Sequence, residues 1–185
     1  MRRLGTLHSI ATYQRTTTFR IHEPIVMPGI FQTEVYIRRM LTFWYAFLDA
    51  PDDTDATVAM KAERTAIALR PAKRILVVLG EQVLHTRYGT PSEHADQLTH
   101  LLALMRLPFI SVGIIQADAQ RHAIATIGFW IFDNNAVALE TPTAAIKVTR
   151  PQETALYVAM FNQLKDQAIY GHDARQLITK ILVDL

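Results

Sequence analysis

Two glutamates stand where apolar runs end. Glu81 follows RILVVLG directly and Glu140 closes AVAL, so each projects from a predicted strand end toward the interior or a cleft. A carboxylate in such surroundings needs a partner or a raised pKa, and a raised pKa suits it to acid or base work at neutral pH. Glu81 and Glu140 are therefore the candidate catalytic residues. Arg64, on a predicted helix with Met60, Ile67 and Ala68, is the available counter-ion for one of them. An internal ion pair that fixes a helix on a sheet is the simpler reading, and acid–base chemistry the sharper one. The aromatics Phe43, Trp44, Tyr45 and Phe47, with Phe129, Trp130 and Phe132, recur at helical or strand spacing. Core packing is the expectation for them, and the wall of a ligand cavity the alternative.

Other chemistries lack their residues. The chain has no phosphate-binding loop, no GxGxxG, no GxSxG and no HExxH. Of the seven histidines only His94 and His100 fall on one predicted helix, and a spacing of six puts them on different faces. Asp52, Asp53, Thr54 and Asp55 lack the glycine and distal glutamate of a calcium loop, so helix capping and solvated charge account for them. Without cysteine there is no disulfide, thiolate nucleophile or cysteine zinc site. The expectation is no metal and no cofactor.

At 185 residues, 50% apolar and 19% charged, the sequence reads as one globular domain over residues 1–185. Its longest apolar runs fall well short of a membrane span, and the basic N-terminus lacks the apolar core of a secretory signal. A cytoplasmic location without membrane contact follows as an expectation, and the absence of cysteine fits it. The net charge of +2 is small but uneven: Arg2, Arg3, Arg15 and Arg20 open the chain without an acid among them. They are too dispersed for a dense phosphate-binding patch and read as a solvated face.

Punctuation places the elements that must carry these residues. Thr33 caps a helix after the Pro28-Gly29 turn, with Ile37, Met40, Leu41, Trp44, Phe47 and Leu48 on its apolar stripe, ending near Pro51. Asp55 or Thr54 caps a second helix that Arg70-Pro71 stops near Leu69. RILVVLG is a buried strand, GEQVLHTRYG is open between short helix and strand, and Thr90-Pro91-Ser92-Glu93 is a capping box for a third helix. FISVGII, AIATIGFWIF, AVALE and AAIKV then read as strands with short turns at QADAQRH, DNN and TPT, which favours antiparallel pairing. Pro151 opens a long helix ended by Gly171, and Asp173 with Gln176 starts a short terminal one. The fold class is α+β: a mostly antiparallel sheet of about four to six strands packed with N- and C-terminal helices.

The stretch VMPGIFQTEVYIR, residues 26–38, resembles the signature PGLLQTxxYAR. Further resemblances follow in order: MKAERTAIAL with Arg64, VVLGEQVL with Glu81 and Leu84, Gln97-Leu98 with Leu101, SVGIIQ, IGFWIFD, AVALE with Glu140, and FNQLKDQAI before DARQLITKIL. Together they are similar to the C-terminal domain of unknown function that follows a helix-turn-helix in actinobacterial Scr-type, antitoxin-like transcriptional regulators. The helix-turn-helix itself is expected to be absent from this chain. Thr65 stands where the family carries glutamine, Ile37 where it carries alanine, and Gln116 where its strand ends in proline.

The resemblance implies an effector- or partner-binding domain that reaches DNA only through a helix-turn-helix module. Its partner would be a protein or a small-molecule ligand, and a homodimer is compatible with it. The ligand- or partner-binding candidates are Phe31, Gln32, Tyr36, Arg64 and Glu81, with Trp130. The alternative is an enzyme on the same scaffold, a cofactor-independent isomerase or cyclase taking a bulky apolar metabolite with Glu81 or Glu140 as acid or base. The regulatory expectation ranks above the enzymatic one, and DNA binding by the chain's own arginines ranks last.

Overall fold

Short polar side chains set the helix starts. Thr33 caps α2 (Glu34–Phe47) by accepting the Tyr36 N–H, and Thr90 with Glu93 completes a reciprocal capping box on α5 (Pro91–Leu104). The computed structural model describes residues 9–141 and 144–185. Arg2 and Arg3, and Pro142 and Thr143 of the expected TPT turn, lie outside the described residues. Between the capped helices α3 (Thr54–Ala68) starts one residue after Asp53, earlier than a cap at Thr54 or Asp55 would have it, and α4 (Gln82–His85) settles the open segment as a short helix.

Six strands form one sheet: β1 (Thr18–Glu23), β2 (Arg74–Gly80), β3 (Ile110–Ile115), β4 (Phe129–Phe132), β5 (Ala136–Glu140) and β6 (Ala145–Val148), in the order β3-β2-β1-β4-β5-β6. The fold is α+β as expected, but the sheet is mixed rather than mostly antiparallel. β1 pairs with β2, and β2 with β3, in parallel, while β1-β4, β4-β5 and β5-β6 are antiparallel. The correction has a topological cause. β1 reaches β2 through α2 and α3, and β2 reaches β3 through α4 and α5, and such helical crossovers return the chain in the same direction. β1 was not foreseen, because Arg20 and His22 interrupt its apolar run.

Two further boundaries move. Only Phe129–Phe132 of AIATIGFWIF is strand. α6 (Pro151–Asp166) stops before Gly171, because Ile169 exchanges backbone hydrogen bonds with Ile114; Gly171, at φ 58°, instead opens α7 (Gly171–Val183).

The sheet is packed on both faces. Phe19, Ile21, Val77, Leu79, Val112 and Ile114 lie in the core beneath α1 (Ile10–Arg15), α5 and α7, and Val78, Ile131, Val137 and Leu139 lie in the one with Phe161 and Leu164 of α6. α1 is pinned by the buried Lys73, whose ammonium donates to the carbonyls of Tyr13 at 2.9 Å and Gln14 at 3.1 Å and to that of Thr16. This contact fixes Tyr13 over the sheet. Among the described residues no helix is long and apolar enough to cross a membrane.

Candidate functional site

Strand alternation collects the polar groups. On one sheet face β1 shows Phe19, Ile21 and Glu23, β4 shows Trp130 and Phe132, and β5 shows Ala136, Ala138 and Glu140. Ile21 lies opposite Trp130, and Trp130 opposite Ala138, so Glu23 and Glu140 flank Trp130 and Ala138 toward one end of that face. Above them sits a cavity of about 340 Å³, at the small end of small-molecule sites. Tyr13 closes one side. The turn after β1 supplies Val26, Met27, Gly29, Ile30 and Gln32; α2 supplies Ile37, Met40, Leu41 and Trp44; α3 supplies Lys61, Arg64 and Thr65. Small residues keep the space open: Ala138 forms floor, and Gly29 and Gly128 add no side chain to the wall.

Glu23 is the most perturbed acid at the site. Burial pushes its carboxyl up to about 7, against the Trp130 indole, which donates to Oε1 at 2.7 Å, and with some help from Glu140. Gly128 leaves room for it, since a Cβ there would stand 2.4 Å from Oε2 and push the carboxylate from its place. Glu140 is also raised by desolvation, while Lys61 and then Arg64 pull it down. Burial lowers Lys61 and Arg64 in turn; Glu140 opposes this at Lys61, and Tyr13 and Glu140 oppose it at Arg64. The cavity thus holds two acids and two bases whose charges respond to one another.

The Pro28-Gly29 turn is built as a wall. Phe31 donates its N–H to Pro28 O at 2.8 Å and buries its ring completely in the core rather than in the cavity. Tyr36 braces the turn from α2, its hydroxyl accepting the Met27 N–H at 3.2 Å. Gln32 lines the cavity and donates to Met27 O at 2.7 Å; Oε1 is buried without a hydrogen bond among the described residues. Buried Gln97 of α5 holds the turn from behind, donating to Phe31 O and accepting from Thr33 N–H, both at 2.8 Å. Gln97→Leu keeps the bulk and orphans both backbone groups, at about 1–3 kcal/mol each. Urea unfolding is expected to show a loss of about 2–6 kcal/mol in total, in contrast to the small change of a surface substitution.

Of the residues expected from sequence, Gln32, Arg64, Trp130 and Glu140 meet at this cavity. Arg64 acts on Glu140 electrostatically, after Lys61, without an ion pair within 4 Å between the two. Glu81 is not among the lining residues: its Oε2 accepts the Ala117 N–H at 2.8 Å and its Oε1 lies 3.2 Å from His85 Nε2, tying the loop after β3 to the end of β2. Phe31 and Tyr36 support the wall without lining it. Glu23, Lys61 and Tyr13 were missed. Glu23 carries the same mark as Glu140, a carboxylate closing an alternating strand, and recognising TFRIHE as a strand would have found it.

A family model matches residues 9–180, a span that contains every lining residue. The chain belongs to that family, described as Domain of unknown function (DUF5753). No curated protein matches it. Within this DUF5753 domain Val26, Met27, Gly29, Ile30 and Gln32 of the turn form wall of the cavity.

Proposed function

We propose that this DUF5753 domain is the effector-binding part of an antitoxin-like transcriptional regulator, taking a small amphipathic molecule and passing its presence to an attached or separate helix-turn-helix unit. The cavity carries the reading: it is apolar over most of its wall, has a few convergent polar groups, and is closed by the turn on which the family resemblance is strongest. A ligand there touches the sheet on one side and the turn, α2 and α3 on the other. It shifts an equilibrium to the extent that these elements hold it better in one arrangement than in another. In this reading the domain works in the cytoplasm and meets DNA only through its partner unit.

Native mass spectrometry of the protein drawn from its source cells without denaturation is the test. One small-molecule adduct per chain is expected, and addition of that molecule should change expression of a reporter controlled by the regulator. Bare protein together with a reporter indifferent to cell extract would remove the support.

One observation favours a second reading, a cofactor-independent isomerase or cyclase. A carboxyl that titrates at about 7 inside an apolar cavity is suited to give and take a proton, and Glu23 is such a group with Glu140 nearby. If the adduct leaves chemically changed, and Glu23→Gln returns it unchanged, the enzymatic reading replaces the regulatory one.

A further inference from the structure

The charges that face the cavity are not evenly matched. Glu23 commits one oxygen to the Trp130 indole and packs the other against Gly128, so the sheet and not a cation holds it. Glu140 is the acid that acts on both Lys61 and Arg64 across the cavity. Lys61 forms no hydrogen bond and no ion pair within 4 Å among the described residues, although it lines the cavity from α3. Its Nζ lies beside the Pro28-Gly29 turn, 3.8 Å from where a Cβ on Gly29 would stand. A half-buried ammonium with no acceptor is a site waiting for an anion, because leaving it unmatched is costly. The rest of the wall is mostly hydrocarbon or aromatic, with Met40, Leu41, Trp44 and Trp130 among its residues, and adds the uncharged polar groups of Gln32, Thr65 and Thr141.

We propose that the ligand is an amphipathic monocarboxylate, its carboxylate seated between Lys61 and Arg64 and its carbon skeleton lying along α2 and Trp130. This rests on the reading that the cavity holds a small molecule and adds the chemistry of its head group. Lys61 supplies a movable point charge and Arg64 a planar fork, a pair suited to one carboxylate and poorly suited to an amine. A cationic ligand would have to displace the indole from Glu23 or compete with two resident cations for Glu140.

Competition against N-phenyl-1-naphthylamine, an uncharged apolar fluorophore, at about pH 6.5 tests this with decanoate, decanol and decylamine, three ligands of equal chain length. Decanoate is expected to displace the fluorophore at concentrations about tenfold below decanol, the return on one charge-assisted contact, with decylamine no better than decanol. In Lys61→Met the ratio of decanoate to decanol affinity should fall most of the way to one. Decylamine ahead of decanoate, no displacement by decanoate, or a ratio that Lys61→Met leaves unchanged would overturn the assignment while the cavity reading stands. A fluorophore that does not bind the wild-type chain at all would take down the cavity reading, and the head-group assignment with it.

Discussion

Ala138→Phe is expected to leave the chain folded and its cavity obstructed. Ala138 is a buried strand residue that lines the cavity and lies across from Trp130 in the sheet. In a filled core the added ring would cost about 1–3 kcal/mol, because neighbours must leave their rotamers. Here the ring enters space that already exists beside Trp130, so the stability change measured by urea should stay below about 1 kcal/mol. Binding of N-phenyl-1-naphthylamine should weaken by at least about tenfold, since the ring takes volume that the ligand needs. A variant that loses several kcal/mol while the fluorophore binds as before would mean that the space above Ala138 is not the binding site.

Glu23→Gln tests the electrostatics through stability. An exposed glutamate titrates near 4.5 and this one at about 7. Below 4.5 the carboxyl is protonated in both the folded and the unfolded chain and contributes nothing to the pH dependence. Between 4.5 and about 7 the folded chain keeps a proton that the unfolded chain releases, so stability falls as the pH rises through that interval, by up to about 3 kcal/mol. Glutamine can still accept from the Trp130 indole and carries no titrating proton. The variant should therefore gain on the wild type as pH rises from 5 to 8, by up to about 3 kcal/mol in urea unfolding. His22, His94 and His100, all lowered by burial, add a slope of opposite sign in the wild type and the variant alike, and cancel in the difference. Parallel stability profiles would show that Glu23 ionises freely, and would remove the basis for both its buried role and the enzymatic reading.

Local chemistry was legible where it is local. Thr33, Thr90 with Glu93, and Pro151 mark helix starts because caps and first-turn prolines act within a few residues of chain. The direction of strand pairing is a property of connections: the four successive runs after Pro108 drew attention to short turns, whereas the helical crossovers on either side of RILVVLG decide that half of the sheet is parallel. β1 was missed because Arg20 and His22 fall on the face that packs under α6; His22 satisfies its ring there on Val78 O at 3.1 Å, which no pattern of hydropathy shows.

The candidate site was half legible. Arg64, Glu140 and Trp130 announced themselves as polar or aromatic residues in apolar company, and the cavity assembles them. Lys61 was not singled out in the sequence, since only the third dimension brings its ammonium beside Gly29 and within the field of Glu140. Glu81 shared the strand-end position of Glu140, yet strand ends at opposite sides of a sheet's centre face different neighbours, and its carboxylate binds the Ala117 backbone and His85 instead. Phe31, Gln32 and Tyr36 stand in one conspicuous motif but divide the work of the turn among core, cavity wall and brace.

The chain has two tryptophans, Trp44 and Trp130, and both line the cavity. A molecule of N-phenyl-1-naphthylamine bound there lies against both indoles and accepts their excitation energy. Titration of the wild-type chain with this fluorophore, followed by tryptophan emission, is predicted to give saturable quenching with one site per chain. Emission that falls only in proportion to added fluorophore, without saturation, would contradict the central claim that this space holds a small molecule.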